Sequence, residues 1–234
     1  MGGCCGEGIP SCERVFDRQT ADEDLRALRT KGAPWATRAL IDQLASDADL
    51  AGATVLDVGA GVGVVHLELL AGGAASAVDV DGSGAYVAAA REEAERRGLA
   101  DRVEHVVGDL TLVAPSLDPA DLVALDRVVC CYGDVVALLG AAAALARRRL
   151  GLVYPRDRWW IRAGAAIGNV VRFGRKGGYR MRIHREAVVA GLLETAGFAR
   201  VARRDGRVWS VQTWARVGPS APGQALDAAG PATS

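Results

Sequence analysis

The chain has 234 residues, of which 50% are hydrophobic and 24% are charged, and its formal net charge at pH 7 is zero. This composition is typical of a soluble globular protein, and the length suffices for one sizeable core, so a single domain is predicted. The balanced charge argues against a dedicated nucleic-acid binder, because such a protein would carry a clear excess of basic residues.

Membrane, secretion and metal signals are weak. No apolar run reaches the roughly 18 residues that a membrane span requires, and residues 1–12 lack the apolar core of a secretory signal, so we expect a cytoplasmic protein. The five cysteines form an odd set with two adjacent pairs, which is a poor disulfide framework, and reduced thiols are expected. Cys4, Cys5 and Cys12 lack the C-x-x-C spacing of a structural zinc site, so no metal is expected.

The two ends differ in composition from the rest of the chain. Residues 1–12 are rich in glycine and cysteine, and residues 218–234 in proline, glycine and alanine. Neither segment can bury enough apolar surface to fold, so both are predicted to be disordered tails around a domain at 13–217. Within that domain, residues 13–48 carry acids and arginines at helical spacing. They predict either a helical lid over a ligand site or helices that cover the sheet edge.

The central part alternates short apolar runs with longer runs of helical period, which predicts β-α-β units on a parallel sheet. The predicted strands are 53–58, 75–81, 103–108, 120–126 and 150–154. The predicted helices are 35–46, 62–71, 84–97 and 134–149. A further helix is expected at 185–196, followed by two strands that turn at Asp205-Gly206 and form an antiparallel hairpin.

A glycine-rich loop follows the first predicted strand, in the stretch TVLDVGAGVGVV at 54–65. The glycines Gly59, Gly61 and Gly63 permit positive φ and the close approach of a ligand to the backbone. The loop lies at the carboxyl end of a parallel strand, where open α/β sheets bind ligands. The dinucleotide motif G-x-G-x-x-G would require a third glycine at the position of Val64. The spacing therefore disfavours a dinucleotide, but the loop alone is weak evidence for any particular ligand.

Acids stand at the ends of the next two strands. The second strand offers Asp79 and Asp81, and a carboxylate there accepts the hydroxyl groups of a ribose above the glycine loop. Asp81 is preferred because it lies at the strand end, with Asp79 as the alternative. Asp109 follows the third strand and is placed to bind the amino group of a purine. Singly, each of these acids is as typical of a turn or a helix cap.

This combination resembles the class I S-adenosylmethionine-dependent methyltransferases over residues 35–216. Their E/DxGxGxG loop matches Asp57 to Gly63, and their two strand-end acids match Asp81 and Asp109. The resemblance implies an α/β, Rossmann-like fold, with a mostly parallel seven-stranded sheet and a C-terminal antiparallel hairpin. It also implies S-adenosyl-L-methionine as the cofactor. The residues implied to bind it are Asp57, Gly59, Ala60, Gly61, Gly63, Asp81, Gly108, Asp109, Leu110 and Asp126.

The segment after the fourth strand is expected to line the acceptor pocket, as it does in the methyltransferases that this chain resembles. Tyr132 and Asp126 are the catalytic candidates, and Arg127, Cys130, Cys131 and Tyr132 are candidates for acceptor contact. The alternative is that both cysteines are small buried apolar residues and that Tyr132 is a packed aromatic.

Positive charge is concentrated in a predicted cap at 155–184, where Arg156, Trp159 and Trp160 are further candidates for acceptor contact. Three interpretations stay open: a lid over an aromatic or amphiphilic anionic acceptor, a helix on a membrane surface through 156–185, or a helix packed on the sheet. The region is loosely similar to the magnesium protoporphyrin O-methyltransferases, whose acceptor is a propionate carboxylate on a flat ring.

The sequence thus predicts methyl transfer to a small-molecule acceptor, anionic or aromatic, with O-methylation favoured and no nucleic-acid partner. An NAD(P)-dependent oxidoreductase is disfavoured by Val64 and the terminal hairpin. A non-catalytic cofactor-binding protein of the same fold is a further alternative. An RNA methyltransferase is disfavoured because LDRV stands after the fourth strand, where the tetrapeptide N-P-P-Y of that class would be expected.

Overall fold

The computed structural model describes residue 13 and residues 15–46, 50–173 and 180–217. The predicted tails and Cys4, Cys5 and Cys12 lie outside these ranges. The helices are α1 Arg18–Lys31, α2 Trp35–Ala45, α3 Val64–Ala71, α4 Gly84–Arg96, α5 Leu110–Val113, α6 Val135–Leu145, α7 Trp159–Phe173 and α8 Glu186–Thr195. The strands are β1 Thr54–Val58, β2 Ser76–Asp81, β3 Val103–Val107, β4 Ala120–Asp126, β5 Ala146–Pro155, β6 Phe198–Asp205 and β7 Trp209–Arg216.

The seven strands form one sheet in the order β3-β2-β1-β4-β5-β7-β6. Strands β1 to β5 run parallel, and β7 pairs antiparallel with both β5 and β6. The order reverses between β1 and β4, so the crevice at their carboxyl ends is the topological switch point at which such sheets bind ligands. The predicted fold class, including the antiparallel hairpin, is confirmed.

The prediction was wrong about where the fourth helix ends and the fifth strand begins. Helix α6 ends at Leu145, and β5 already starts at Ala146, inside the predicted helix 134–149. The run of arginines at 147–149 favours a helix locally, but β5 lies between β4 and β7, and pairing on both sides supplies its backbone with hydrogen bonds. Nε of Arg148 also lies 3.2 Å from Oδ1 of Asp121 on β4.

Apolar clusters cover both faces of the sheet. One face is packed by α6 and α8 around the buried side chains of Tyr154, Phe198 and Trp214. The other face is packed by α2 and α3, with Leu40 and Leu44 of α2 fully buried. Burial on both sides explains the nearly continuous apolar runs of the central strands.

The predicted lid segment contains two helices with different surroundings. Helix α2 packs on the sheet, whereas α1 packs on α4 and the glycine loop through Ala21, Leu25 and Leu28. The side chain of Asp17 caps α1 by accepting a hydrogen bond from the backbone N–H of Thr20 at 2.9 Å. The segment therefore covers the sheet with one helix and the switch-point crevice with the other.

Candidate functional site

The glycine loop between β1 and α3 has a left-handed backbone at three positions. The φ angles are 60° at Gly59, 59° at Gly61 and 82° at Gly63. A Cβ on Gly59 would lie 2.6 Å from Cγ2 of Val128 in the loop after β4. Side chains at these positions would therefore strain the backbone and push the two loops apart.

Replacement of Gly63 by alanine is expected to lower the free energy of unfolding by about 3 kcal/mol. Besides the positive φ, its Cβ would lie 2.8 Å from Cε1 of the buried His66 ring. Gly98→Ala is the matched control: its φ is 69°, and no atom lies within 4 Å of the added Cβ. We expect this control to lower the free energy of unfolding by about 1 kcal/mol, measured by equilibrium unfolding in urea. Equal losses in the two variants would show that the His66 contact is unimportant.

Two of the predicted acids lie beneath the loop. Asp57 is fully buried, and its Oδ2 accepts the backbone N–H of His66 at 3.2 Å and lies 3.0 Å from Nδ1 of that ring. Burial raises the pKa of Asp57. Asp79 is also fully buried, with Oδ2 2.8 Å from Nδ1 of His105. Neither carboxylate lines the crevice, so their contacts support the loop and the strands from below.

Asp81 lies at the edge of the crevice, as preferred over Asp79. Its Oδ2 accepts the backbone N–H of Gly61 at 3.0 Å, and its Oδ1 accepts that of Ser83 at 2.8 Å. These two bonds fix a half-buried carboxylate beside the glycine loop. The arrangement places an acceptor group where the hydroxyls of a nucleoside would lie.

The crevice is a cavity of about 670 Å³. The glycine loop and the end of β2 contribute Gly59, Ala60, Gly61 and Asp81 to its lining. The end of β4 and the loop after it contribute Asp126, Arg127, Val128, Cys130 and Cys131, and Met181 and Trp209 line it as well. Helix α1 and the following turn close it through Asp24, Ala27, Leu28, Lys31, Gly32, Ala33 and Pro34. The cavity is large enough for a nucleoside cofactor and a small acceptor together.

Sequence reasoning missed the contacts that fasten α1 over the cavity. The hydroxyl of Tyr86 on α4 donates to Oδ2 of Asp24 at 2.5 Å, and the hydroxyl of Ser83 donates to the carbonyl of Phe16 at 2.6 Å. Burial, reinforced by the Asp24 carboxylate, raises the pKa of Tyr86, so it stays a donor. The only sequence signal was the helical spacing of charges in 13–33, which locates a helix without identifying its partners.

A second set of polar contacts lies at the carboxyl end of β4. The hydroxyl of Thr37 donates to Oδ2 of Asp126 at 2.6 Å, and the Arg127 guanidinium lies 3.2 Å from Oδ1 of the same carboxylate. Arg127 also has a φ of 62°, which is unusual for a residue with a side chain. Strained backbone of this kind concentrates at functional sites. Thr37 had no signal in the sequence.

The two cysteines line the cavity but are held as thiols. Both Sγ atoms donate to the carbonyl of Arg127, at 3.2 Å from Cys130 and 3.4 Å from Cys131. The hydrogen bond with Cys131, together with burial, raises the pKa of Cys130 well above its ordinary value. A thiolate nucleophile is therefore disfavoured, in agreement with the apolar interpretation of the pair.

Tyr132 does not line the cavity. Its buried hydroxyl donates to Oδ1 of Asp109 and lies 3.0 Å from the hydroxyl of Thr111. Asp109 also accepts the backbone N–H of Thr111 at 2.9 Å and so caps α5. Gly108 and Leu110, the neighbours of Asp109 in the predicted cofactor set, lie off the cavity wall as well. These contacts tie the loop after β3 to the loop after β4.

The structure also places Arg156, Trp159 and Trp160 outside the cavity. The guanidinium of Arg156 donates to the carbonyl of Gly206 at 2.8 Å and so holds the β6–β7 turn. The side chain of Trp159 is 80% exposed. These three side chains are therefore not part of the cavity wall, and their contact with an acceptor stays a prediction. Met181 and Trp209 lie on the wall instead.

Comparison with known protein sequences matches part of the chain to a domain family. Residues 55–148 match the family model described as a methyltransferase domain. The ribosomal protein L11 methyltransferase of Serratia proteamaculans is 38% identical over 88 residues, which are 38% of this chain and 28% of that protein. The protein of the same name from Edwardsiella ictaluri is 40% identical over 86 residues, which are 37% of this chain and 27% of that protein. The chain thus spans under a third of these curated relatives.

Similar solved structures cover nearly all of the fold. The magnesium protoporphyrin IX methyltransferase from Synechocystis PCC 6803 with bound S-adenosylhomocysteine has a TM-score of 0.69 at 21% identity, covering 89% of this chain and 100% of that chain. An O-methyltransferase family protein from Burkholderia thailandensis has a TM-score of 0.67 at 20% identity, covering 87% of this chain and 61% of that chain. The resemblance seen in the sequence is supported: residues 55–148 match a methyltransferase domain, and the fold is that of the similar methyltransferase structures.

Proposed function

We propose that this chain transfers a methyl group from S-adenosylmethionine to an oxygen of a small anionic acceptor. The observation that carries the proposal is one cavity lined by two chemically different sets of residues. The glycine loop and Asp81 form a nucleoside cradle, and Arg127, which is ion-paired with Asp126, lies beside the apolar side chains that follow β4. The similar Synechocystis structures hold S-adenosylhomocysteine and S-adenosylmethionine, which supports the choice of cofactor.

The residues of the cradle fit this cofactor. Gly59 and Gly61 expose their backbone to the cavity without a Cβ, so a ligand can approach closely. The carboxylate of Asp81, fixed by the N–H groups of Gly61 and Ser83, would accept the ribose hydroxyls. Bound there, the cofactor supplies an electrophilic methyl group on a sulfonium.

The rest of the lining combines charged side chains with apolar surface. Arg127 and Lys31 are its basic side chains, Asp24 and Asp126 are its acidic ones, and Val128, Cys131, Met181 and Trp209 are among its apolar ones. A guanidinium binds a carboxylate in a planar, two-pronged geometry, which favours an anionic oxygen in the acceptor. An aromatic or amphiphilic body would fill the apolar part.

The chain's contribution to methyl transfer is mainly to orient the acceptor. The displacement is in line, so holding the acceptor oxygen at near-attack distance lowers the barrier without covalent chemistry by the protein. A carboxylate acceptor is already nucleophilic and needs no base. For a hydroxyl acceptor, Asp126 is the carboxylate beside Arg127 that would take the proton, and Arg127 would keep it oriented.

The direct test has two stages. Calorimetry with S-adenosylhomocysteine, and with NADH as the comparison, should show binding of the first only. Transfer of radiolabel from S-adenosylmethionine should then be measured on a panel of aromatic carboxylic acids that includes magnesium protoporphyrin IX, with their methyl esters as matched controls. Labelling of the free acids alone supports the proposal. Folded protein that binds no S-adenosylhomocysteine, or that labels acids and esters equally, contradicts it.

Arg127→Gln is expected to lower kcat/KM for an acidic acceptor about tenfold, because one charge-assisted hydrogen bond is lost. The affinity for S-adenosylhomocysteine should change less than kcat/KM, since Asp81 and not Arg127 would hold the ribose. Arg127→Lys keeps the positive charge but cannot form the two parallel hydrogen bonds of a guanidinium. It should recover part of the lost kcat/KM. Steady-state kinetics with the labelled acid provides the measurement. If Arg127→Gln weakened cofactor binding and left kcat/KM per bound cofactor unchanged, the acceptor role would be excluded.

A further inference from the structure

Helix α7 presents an unusual face to solvent. Ile161 points toward the protein and is 5% exposed. The side-chain amide of Asn169 exchanges two hydrogen bonds with the backbone of Met181, at 2.9 and 2.8 Å. On the opposite side, Trp159 is 80% exposed, Ile167 68% and Trp160 42%.

These exposed residues form one continuous apolar stripe. Trp159, Ala163 and Ile167 are spaced by four residues and therefore lie on one face of the helix, with Trp160 beside them. Ala163 is exposed as well. Arg162 lies off this stripe, where its guanidinium forms an ion pair with Asp157 at 2.5 Å. Among the side chains of α7 that the structure describes, the outward face is thus apolar, whereas a solvated helix carries its polar residues there.

The part of the sequence that contains this stripe is strongly basic. The segment 155–185 contains nine basic residues and a single acid, Asp157, in a chain of zero net charge. The basic residues are Arg156, Arg158, Arg162, Arg172, Arg175, Lys176, Arg180, Arg182 and Arg185. An exposed apolar face with tryptophans, in a segment of the sequence rich in arginine, is the pattern of a helix that lies in the interface of an anionic membrane.

We propose that α7 docks on an anionic lipid surface, with Trp159, Trp160 and Ile167 in contact with the acyl-chain boundary. A second copy of this chain suits the face less well, because it would bring two strongly basic segments together. Lipid phosphates instead complement the arginines, and tryptophan is favoured at the level of the headgroups. Docking requires no spanning segment, and no helix in the described part of the chain is long and apolar enough to cross a bilayer.

The stripe is also connected to the cavity. Met181, which α7 holds through Asn169, lines the cavity, and the backbone N–H of Arg182 donates to the carbonyl of Cys130 at 2.7 Å. Helix α7 is therefore bonded to the segment that supplies Met181 to the cavity wall. The connection between α7 and the cavity suits an amphiphilic acceptor taken from the membrane. This corollary rests on the proposed function, but the docking itself does not.

Vesicle flotation of the full chain tests the docking. The fraction of protein that floats with vesicles of about a quarter phosphatidylglycerol in phosphatidylcholine should be at least tenfold higher than with pure phosphatidylcholine. Added salt should lower this bound fraction. The double variant Trp159→Ser, Ile167→Ser should lose at least tenfold in bound fraction. The control Leu112→Ser, Val136→Ser removes apolar residues that are 71% and 57% exposed elsewhere, and should float like the unchanged protein.

Three results would overturn the docking: no flotation with either vesicle, equal flotation of the two double variants, or a fall in oligomer mass of the α7 variant without lipid. The last result would assign the stripe to a second copy. Calorimetry with S-adenosylhomocysteine is run on the same samples, and both double variants should bind it like the unchanged protein. Because flotation and nucleoside binding are read separately, failure of the docking is distinguishable from failure of the proposed function.

Discussion

Asp81→Ala should weaken the binding of S-adenosylhomocysteine about 100-fold, because two hydrogen bonds between ribose hydroxyls and a carboxylate would be lost. The carboxylate is held by the N–H groups of Gly61 and Ser83, so it is oriented before the ligand arrives. Such preorganisation makes its removal costlier than that of a mobile side chain. Isothermal titration calorimetry at a fixed pH near 7 measures the change.

Asp118→Ala is the control, since that side chain is exposed and does not line the cavity. It should bind S-adenosylhomocysteine with an unchanged Kd. The thermal unfolding of the Asp81 variant must also be recorded, because loss of the bond to Gly61 slightly loosens the glycine loop. If folded Asp81→Ala retained the original affinity, the ribose could not lie where the proposal places it.

Glu93→Gln should lower the free energy of unfolding by about 3 kcal/mol, or roughly 6–12 °C in Tm. The carboxylate of Glu93 on α4 has no exposed side-chain surface and accepts hydrogen bonds from Arg29, Arg96 and Arg97 at 2.5 to 2.9 Å. Arg29 belongs to α1, so this one side chain fastens the cover of the cavity to α4. An amide in its place removes the carboxylate that three guanidinium groups share, although Arg29 keeps Glu92 and Arg97 keeps Glu68.

The neighbouring Glu92 provides a matched control. It also pairs with Arg29, at 3.0 Å, but its side chain is 47% exposed. Glu92→Gln should therefore cost less than about 0.5 kcal/mol in the same thermal and urea experiments. If the two substitutions cost the same, the burial of Glu93 would not be the source of the effect.

The contribution of Glu93 should also depend on pH in a defined window. Hydrogen bonds from Arg96 above all, and from Arg97 and Arg29, lower its pKa from 4.5 to about 2. Since the folded state binds the proton less readily than the unfolded state, the stabilisation is fully present above about pH 4.5 and is lost as the pH falls toward 2. The stability difference between the unchanged protein and Glu93→Gln should shrink over that window.

The nucleoside half of the site was predictable because its chemistry is local. A strand, three alternating glycines and an acid at the next strand end lie within 28 residues, from Thr54 to Asp81, and parallel strands bring their carboxyl ends to one edge. Periodicity alone distinguished most strands from helices. It misassigned residues 146–149, because the pairing of β5 with β4 and β7 outweighed the helical preference of the arginines there.

Which acids face the cavity was decided by the fold. Asp57, Asp79 and Asp81 are alike in sequence, yet in the described structure the first two are buried against histidines and only the third borders the cavity. Asp57 and Asp79 are register partners inside the sheet, and Asp81, two residues further along β2, lies at the strand end, which alone opens to the crevice.

The sequence by itself determined the fold class, the glycine loop and the concentration of charge in 155–185. Only the tertiary structure placed Thr37 against Asp126, 89 positions away, and Tyr86 against Asp24, 62 positions away. It also turned Tyr132 away from the cavity and the apolar face of α7 outward. Spacing along the chain encodes which residues share a face of one element, whereas contacts between elements depend on how all of them pack together.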